Sequence, residues 1–243
     1  MSKNFDKYHT RGADYHYRQT NRFSLKDFSA PVEARFSALI ERVAKIAGEK
    51  EFSILDVGCG DGVALWLLSK RLPHAKLSGV EPVPEALAVA KMMIPKADVR
   101  QSSADSLPFP DASFDIVISS DVIEHVENPD TMLKEIHRVA KGGASIIVGT
   151  PVRHSKFPLD PNHVQEFFIE DYLDLTKHHF PTVEVIESHE LSLFLRYNRP
   201  PRSFINFRLL VNIALLFGLK NPFLRGRGNR VEMFAYMNAV CKK

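Results

Sequence analysis

Cysteine is scarce in this chain, with only Cys59 and Cys241 among 243 residues. Two thiols give no disulfide framework, and Cys59 lies inside a glycine-rich turn, so a reducing compartment is expected. Long apolar runs are missing too. No stretch reaches the roughly 18 apolar residues that span a bilayer. The opening MSKNFDKYHTRGADYHYRQ has no apolar run of the signal-peptide kind, and a cytoplasmic protein is the expectation. The net charge of +3 is too small to argue for nucleic acid by itself. There is no internal repeat and no low-complexity segment. The sharpest absence is local: no Asp or Glu occurs from Leu191 to Val231, where Arg196, Arg199, Arg202, Arg208, Lys220, Arg225, Arg227 and Arg230 all fall.

What is present is an alternation of strand-like apolar runs with helical patterns, which argues for βαβ units and a parallel sheet. Strands are expected at 53–58, 77–81, 97–101, 114–119, 144–150, 182–188 and 231–240, and helices at 31–48, 62–71, 84–94, 129–140 and 166–179. Pro84 and Pro129 suit first helical turns, and KGG at 141–143 is expected to close the helix before the fifth strand. The fold class is therefore α/β: a Rossmann-like, doubly wound seven-stranded sheet, mostly parallel, with helices on both faces. One domain accounts for the whole length, divided into an N-terminal segment (1–30), a core (31–189), an insertion (190–229) and a last strand (230–243).

ILDVGCGDG, residues 54–62, runs from a strand into a turn with glycines at 58, 60 and 62. Glycine permits a tight turn and close approach of a ligand, and the following helix N-terminus offers free N–H groups. Such a turn alone is weak evidence for a nucleotide site. Glu81 strengthens it by ending the second strand about 20 residues on, where an acid can accept from ribose hydroxyls. Asp56 precedes the first glycine, and Asp105 follows the third strand, where an adenine amino group can be met. A dehydrogenase would show GxGxxG, whereas the spacing here is GxGxG with an acid before it.

Together these residues resemble the class I S-adenosylmethionine-dependent methyltransferases over about residues 30–190. LDVGCGDG is similar to that family's first motif, VEP to its ribose-binding strand end, and ADSLPFPDASFDIVISSDVIEHV to its adenine loop and fourth strand. The resemblance implies S-adenosylmethionine as cofactor. Gly58 and Gly60 would approach the methionine moiety, with Asp56 ordering that loop, Glu81 on the ribose, Asp105 on the adenine, and the backbone near Ser119 at the methionine end. It also implies that the segment before the first strand folds over the cofactor, so that Tyr8, Tyr15, His16 and Tyr17 line the cleft. A packed terminus is the competing reading.

Asp121, Glu124 and His125 follow the fourth strand, at the sheet end where open α/β folds bind ligands. Their D-x-x-E-H pattern is similar to the E-x-x-E-H of ubiquinone-pathway O-methyltransferases and small-RNA 2′-O-methyltransferases, which use a divalent cation there. The RNA group adds a histidine after the fifth strand in an H-x-x-E setting, matched here by His163 and Glu166. The resemblance implies a site of Asp121, Glu124, His125 and His163 for Mg, Mn, Fe or Zn. Aspartate at the first position reaches one methylene less far. Two other roles stay open: shaping the acceptor pocket, and proton abstraction by His125 or His163.

The reaction so implied is methylation of a small-molecule hydroxyl, including sugar- or lipid-linked acceptors, with nucleic acid not expected as a partner. A non-catalytic binding protein on the same fold is the alternative from another class, and an RNA or N-methyltransferase a further one. The insertion carries FINFRLLVNIALLFGL at 204–219, in which Arg208 and Asn212 share a helical face. It is expected near the acceptor pocket. Three readings apply: a buried or dimer-contact helix, an interfacial helix within 200–226 meeting anionic lipid, or an arginine-lined lid for phosphate. Contiguous aliphatics disfavour RNA.

Overall fold

The computed structural model describes residues 7–24, 26–48, 51–155, 160, 162–187, 190–199, 207–224 and 236–243. Seven strands form one sheet: β1 (Ser53–Val57), β2 (Lys76–Val80), β3 (Asp98–Arg100), β4 (Phe114–Ser120), β5 (Ala140–Pro151), β6 (Thr182–Glu187) and β7 (Tyr236–Lys242). Their order is β3-β2-β1-β4-β5-β7-β6, parallel except that β7 runs antiparallel to both β5 and β6. The order reverses between β1 and β4, which creates the crevice at their carboxyl ends where such sheets bind ligands.

The helices are α1 (Lys7–Arg11), α2 (Tyr15–Thr20), α3 (Ala30–Ala47), α4 (Val63–Arg71), α5 (Pro84–Met93), α6 (Pro129–Val139), α7 (Ile169–His179), α8 (Leu191–Asn198) and α9 (Phe207–Leu216), with 3-10 turns at Ile123–His125 and Pro222–Leu224. Strand alternation divides the core between two faces. Leu55, Val57, Val117, Ile146 and Val148 pack with Met132, Leu133 and Ile136 of α6 and Tyr172 of α7. Ile54, Ile116, Ile118 and Ile147 pack with Phe36, Leu39, Ile40 and Val43 of α3 and with α4 and α5. Because both faces are covered, the central strands read as nearly continuous apolar runs. A third, smaller cluster joins Phe28, Ala30 and Ala34 to Tyr197, Val211, Leu215 and Phe223, and so docks the insertion on the N-terminal side of α3.

Three differences from expectation bear on the architecture. KGG does not close a helix: α6 ends at Val139, and Ala140 already pairs with Phe114, so 141–143 lies within β5 across an irregularity in the ladder. The last strand runs Tyr236–Lys242 rather than 231–240, and 231–235 lie outside the described residues. Register places Tyr236 opposite Pro151, at the cleft end of β5. An antiparallel last strand must start at that end, which brings the insertion preceding it to the cleft. Finally, α7 begins at Ile169 rather than 166, leaving His163 and Glu166 in a loop.

Candidate active site

A cleft of about 1170 Å³ opens at the carboxyl ends of β1 and β4. It exceeds the roughly 300–1000 Å³ of a typical small-ligand pocket, leaving room for a cofactor and an acceptor together. Residues from α1 and α2, the glycine turn, the ends of β2 and β4, the 160–163 loop, α8 and β7 all line it.

The glycine turn needs glycine for two reasons. Gly58 and Gly60 adopt φ of 75° and 58°, in the left-handed region. A Cβ at Gly58 would run into Val122, and one at Gly60 into the Tyr8 hydroxyl. The turn is fixed to β2 by Gly58 N–H and Cys59 N–H donating to the Val80 carbonyl at 2.9 and 2.8 Å. Glu81 is buried, and its two oxygens accept from Gly60 N–H at 2.9 Å and Val83 N–H at 3.0 Å. Burial pushes the Glu81 carboxyl up to about 7 against these two hydrogen bonds, with Asp61 adding a small upward push. Asp56 is pushed up to about 7 as well, by burial first and by the Glu81 charge second. Asp105 lies exposed on the rim and accepts from the Ser103 hydroxyl. Ser119 is buried and donates to the Val57 carbonyl at 2.9 Å, tying β4 to β1. It is absent from the cleft lining, which Ser120 and Asp121 provide instead. Strand alternation explains the difference, since neighbouring side chains point to opposite faces.

The N-terminal segment covers this end. Tyr8, Tyr15 and His16 line the cleft, whereas Tyr17 turns away to stack edge-on against Trp66 of α4. What holds the segment down is Asp61, which the sequence reading passed over within GCGDG. Asp61 is 0% exposed, and its Oδ2 accepts from His16 N–H at 2.9 Å and Tyr17 N–H at 3.2 Å. The His16 Nδ1 lies 3.4 Å from its other oxygen. A carboxylate thus meets free N–H groups in the first turn of α2, where the helix dipole favours negative charge.

Around the D-x-x-E-H stretch the structure separates one residue from the rest. Asp121 has φ of 58° and forms a two-pronged ion pair with Arg35 of α3, Nη1–Oδ1 2.9 Å and Nη2–Oδ2 2.6 Å. It is not part of the ligand cluster; its carboxylate is engaged by the guanidinium. Arg35 also lies 4.9 Å over the Tyr236 ring, and the Tyr236 hydroxyl is 2.9 Å from Ser120 Oγ. Neither Arg35 nor Tyr236 carries a local sequence signal. Their roles come from three distant elements meeting.

Glu124, His125 and His163 do converge, each offering a ligand atom within 4.8 Å of the others. Glu124 is buried and accepts from Thr150 Oγ1 at 3.0 Å. The His125 and His163 rings meet edge to face at 5.0 Å. Glu166 Oε1 lies 2.7 Å from His163 Nδ1. A carboxylate on one ring nitrogen fixes the tautomer and leaves the other nitrogen to accept or ligate. The two loops are clamped together: Val164 and Gln165 N–H donate to the Glu124 carbonyl at 2.9 and 3.2 Å, and Gln165 Nε2 to the Val126 carbonyl at 2.9 Å. Thr150 and the clamp were not foreseen from sequence.

Residues 55–148 match the sequence model of a family described as a methyltransferase domain. Over 105 residues the chain is 35% identical to a demethylmenaquinone methyltransferase of Chlorobaculum parvum, covering 43% of each protein. Over 152 residues it is 28% identical to a phosphatidylethanolamine N-methyltransferase of Cereibacter sphaeroides, covering 58% of this chain and 70% of that one. The chain therefore spans about two-fifths of the first relative's length. A structure of a SAM-dependent methyltransferase from Thermotoga maritima superposes with a TM-score of 0.56 at 23% identity, covering 86% of this chain and 91% of that one. Residues 55–148 therefore match a methyltransferase domain, and the fold is the one shared by S-adenosylmethionine-dependent methyltransferases of known structure.

Proposed function

We propose that this chain transfers a methyl group from S-adenosylmethionine to a hydroxyl of a small-molecule acceptor, including sugar- or lipid-linked ones. The observation that carries the reading is that Glu124, His125 and His163 border the same cleft as Gly58, Glu81 and Asp105. Bound there, the cofactor supplies a methyl group on a cationic sulfonium. Glu81 would accept from the ribose hydroxyls and Asp105 from the adenine amino group, with Asp56 buried beneath the glycine turn. Tyr8, Tyr15 and His16 exclude water from above. Transfer is an in-line displacement, so alignment is the main task. A hydroxyl acceptor must also lose its proton, and the His163 nitrogen not facing Glu166, or His125, is placed to take it. Relatives named for demethylmenaquinone and phosphatidylethanolamine, both lipids, support a lipid-linked acceptor.

The same three side chains fit a divalent cation. One carboxylate and two imidazoles, with Thr150 and Glu166 behind them, make a donor set with room for an outside ligand. Glu124, His125 and His163 would hold the ion, which would lower the pKa of a coordinated hydroxyl. Mixed nitrogen and oxygen donors favour Zn, Fe or Mn over Mg.

The test is a panel of alcohols, phenols and amines incubated with methyl-labelled donor, before and after exhaustive chelation. Label on hydroxyls is expected, with His163→Ala lowering kcat by about 10²–10⁴-fold while S-adenosylhomocysteine binding is unchanged. Label confined to amines, or none despite tight cofactor binding, would overturn the hydroxyl reading. Full activity after chelation would remove the cation and leave the imidazole base.

A further inference from the structure

Helix α9 carries apolar side chains on both its inner and its outer side. Its inward stripe is the half-buried Arg208 with the buried Val211, Asn212 and Leu215, at the i, i+3, i+4, i+7 spacing of one helical face. The two polar members of that stripe bond inward. Asn212 Oδ1 accepts from the Tyr197 hydroxyl at 2.8 Å, and Arg208 Nη2 donates to the Phe28 carbonyl at 2.9 Å while lying 5.5 Å over the Tyr197 ring. The stripe turned to solvent is apolar: Leu210 (54% exposed), Ile213 and Phe217 (84%), continued by Leu219 (62%). Arg22 donates to the Leu215 carbonyl at 3.2 Å, which brings its neighbour Phe23, 85% exposed, to the same end of the helix. An ordinary surface helix turns a polar stripe to water, whereas the outer stripe of α9 is apolar.

We propose that this face docks on an anionic lipid surface, with α9 lying in the plane of the interface. Charge complementarity selects that occupant. The insertion has no acidic residue from Leu191 to Val231 and carries seven arginines and a lysine, of which Arg196, Arg199 and Lys220 are exposed beside α8 and α9. An exposed apolar face on a segment that supplies cations and no carboxylate of its own suits phospholipid headgroups above acyl chains. The described helix is too short to span. Ten residues make about 15 Å of helix against about 30 Å of hydrocarbon, and no described helix is long and apolar enough to cross a membrane. The position has a consequence for access. Leu191, Phe194 and Leu195 of α8, on the same insertion, line the mouth of the cleft. A docked molecule would hold that mouth near the headgroups, where an acceptor with an apolar tail partitions. The inference stands apart from the methyl-transfer reading, since docking needs neither cofactor nor chemistry.

The experiment is co-sedimentation of the full chain with phosphatidylcholine vesicles and with phosphatidylcholine–phosphatidylglycerol vesicles at low and high salt. Pelleting is expected with the anionic vesicles only and should weaken as salt rises. Leu210→Ser/Phe217→Ser, both at exposed positions, should lower the partition coefficient by about tenfold or more. Lys220→Glu should lower it by about fivefold or more. Circular dichroism and S-adenosylhomocysteine binding are expected to be unchanged in both variants. No pelleting of wild type at low salt, or undiminished pelleting of both variants, would overturn the proposal. A dimer in sedimentation equilibrium that Leu210→Ser/Phe217→Ser abolishes, without vesicle binding, would also overturn it by assigning the face to a second copy.

Discussion

Replacing Asp61 by alanine takes away the anchor of the N-terminal segment without touching the cleft lining. Two backbone N–H groups, of His16 and Tyr17, lose a buried charged acceptor. Hydrogen bonds to charged groups contribute about 1.5–3 kcal/mol each, and a lost helix N-terminal acceptor costs about 0.5–2 kcal/mol. Both N–H groups are half-buried, so water recovers part of the loss. A local opening penalty of about 2–3 kcal/mol remains, because Tyr8 and Tyr15 still pack with Ala86. If the cofactor is held only when the segment is closed, its affinity falls by the lost closed fraction, at most about 30- to 160-fold. Asp61→Asn keeps an oxygen for both donors and loses only the charge, so about half the penalty is expected. Hydrogen exchange over Lys7–Thr20 reads the opening, and calorimetry with S-adenosylhomocysteine reads the affinity. Unchanged protection of that segment in Asp61→Ala would refute the anchor. Faster exchange with an unchanged Kd would instead refute the idea that the segment closes over the cofactor.

Two further outcomes are expected. Asp56 and Glu81 both titrate near 7 in the folded chain because burial disfavours their charged forms. Their contribution to the stability of the ligand-free protein is therefore full below the ordinary carboxylate range and is lost as pH climbs through about 7. A cationic ligand favours the ionised forms, so S-adenosylmethionine should bind more tightly as pH rises through 7, by up to about tenfold per pH unit for each proton released. Glu81→Gln should flatten that profile, and a pH-independent Kd in wild type would contradict it. Arg35→Met leaves the half-buried Asp121 carboxylate without its two-pronged partner and should cost about 2–3 kcal/mol in urea denaturation. Adding Asp121→Asn should recover part of that loss. A double-mutant cycle coupling of less than about 0.5 kcal/mol would show that the pair does not fix the β4 end.

Local pattern determined the alternation of strands and helices in this chain. Apolar runs buried on both faces and 3.6-period helices are properties of short segments, so the sequence alone carried the sheet, its doubly wound class and the glycine turn with Glu81. It also placed Glu124, His125 and His163 at the carboxyl end of the strands, since their positions follow from where β4 and β5 end. What the sequence could not decide was which neighbours compete for a given side chain. Asp121 shared a motif with Glu124, yet Arg35, far away on α3, takes its carboxylate. The Ser119 side chain ties β4 to β1 through the Val57 carbonyl, and its neighbour Ser120 faces the cleft, because a one-residue difference in a strand reverses a side chain. KGG had the composition of a helix stop and was drawn into β5 by ladder pairing. The face of α9 was decided last. Arg208 and Asn212 formed a visible polar stripe, and an isolated helix would turn that stripe to water. Only the Tyr197 hydroxyl and the Phe28 carbonyl, brought in from α8 and the start of α3, give those polar groups better partners inside. Burial of satisfied polar groups then leaves the leucines and Phe217 facing outward, an outcome of tertiary packing that helical periodicity cannot express.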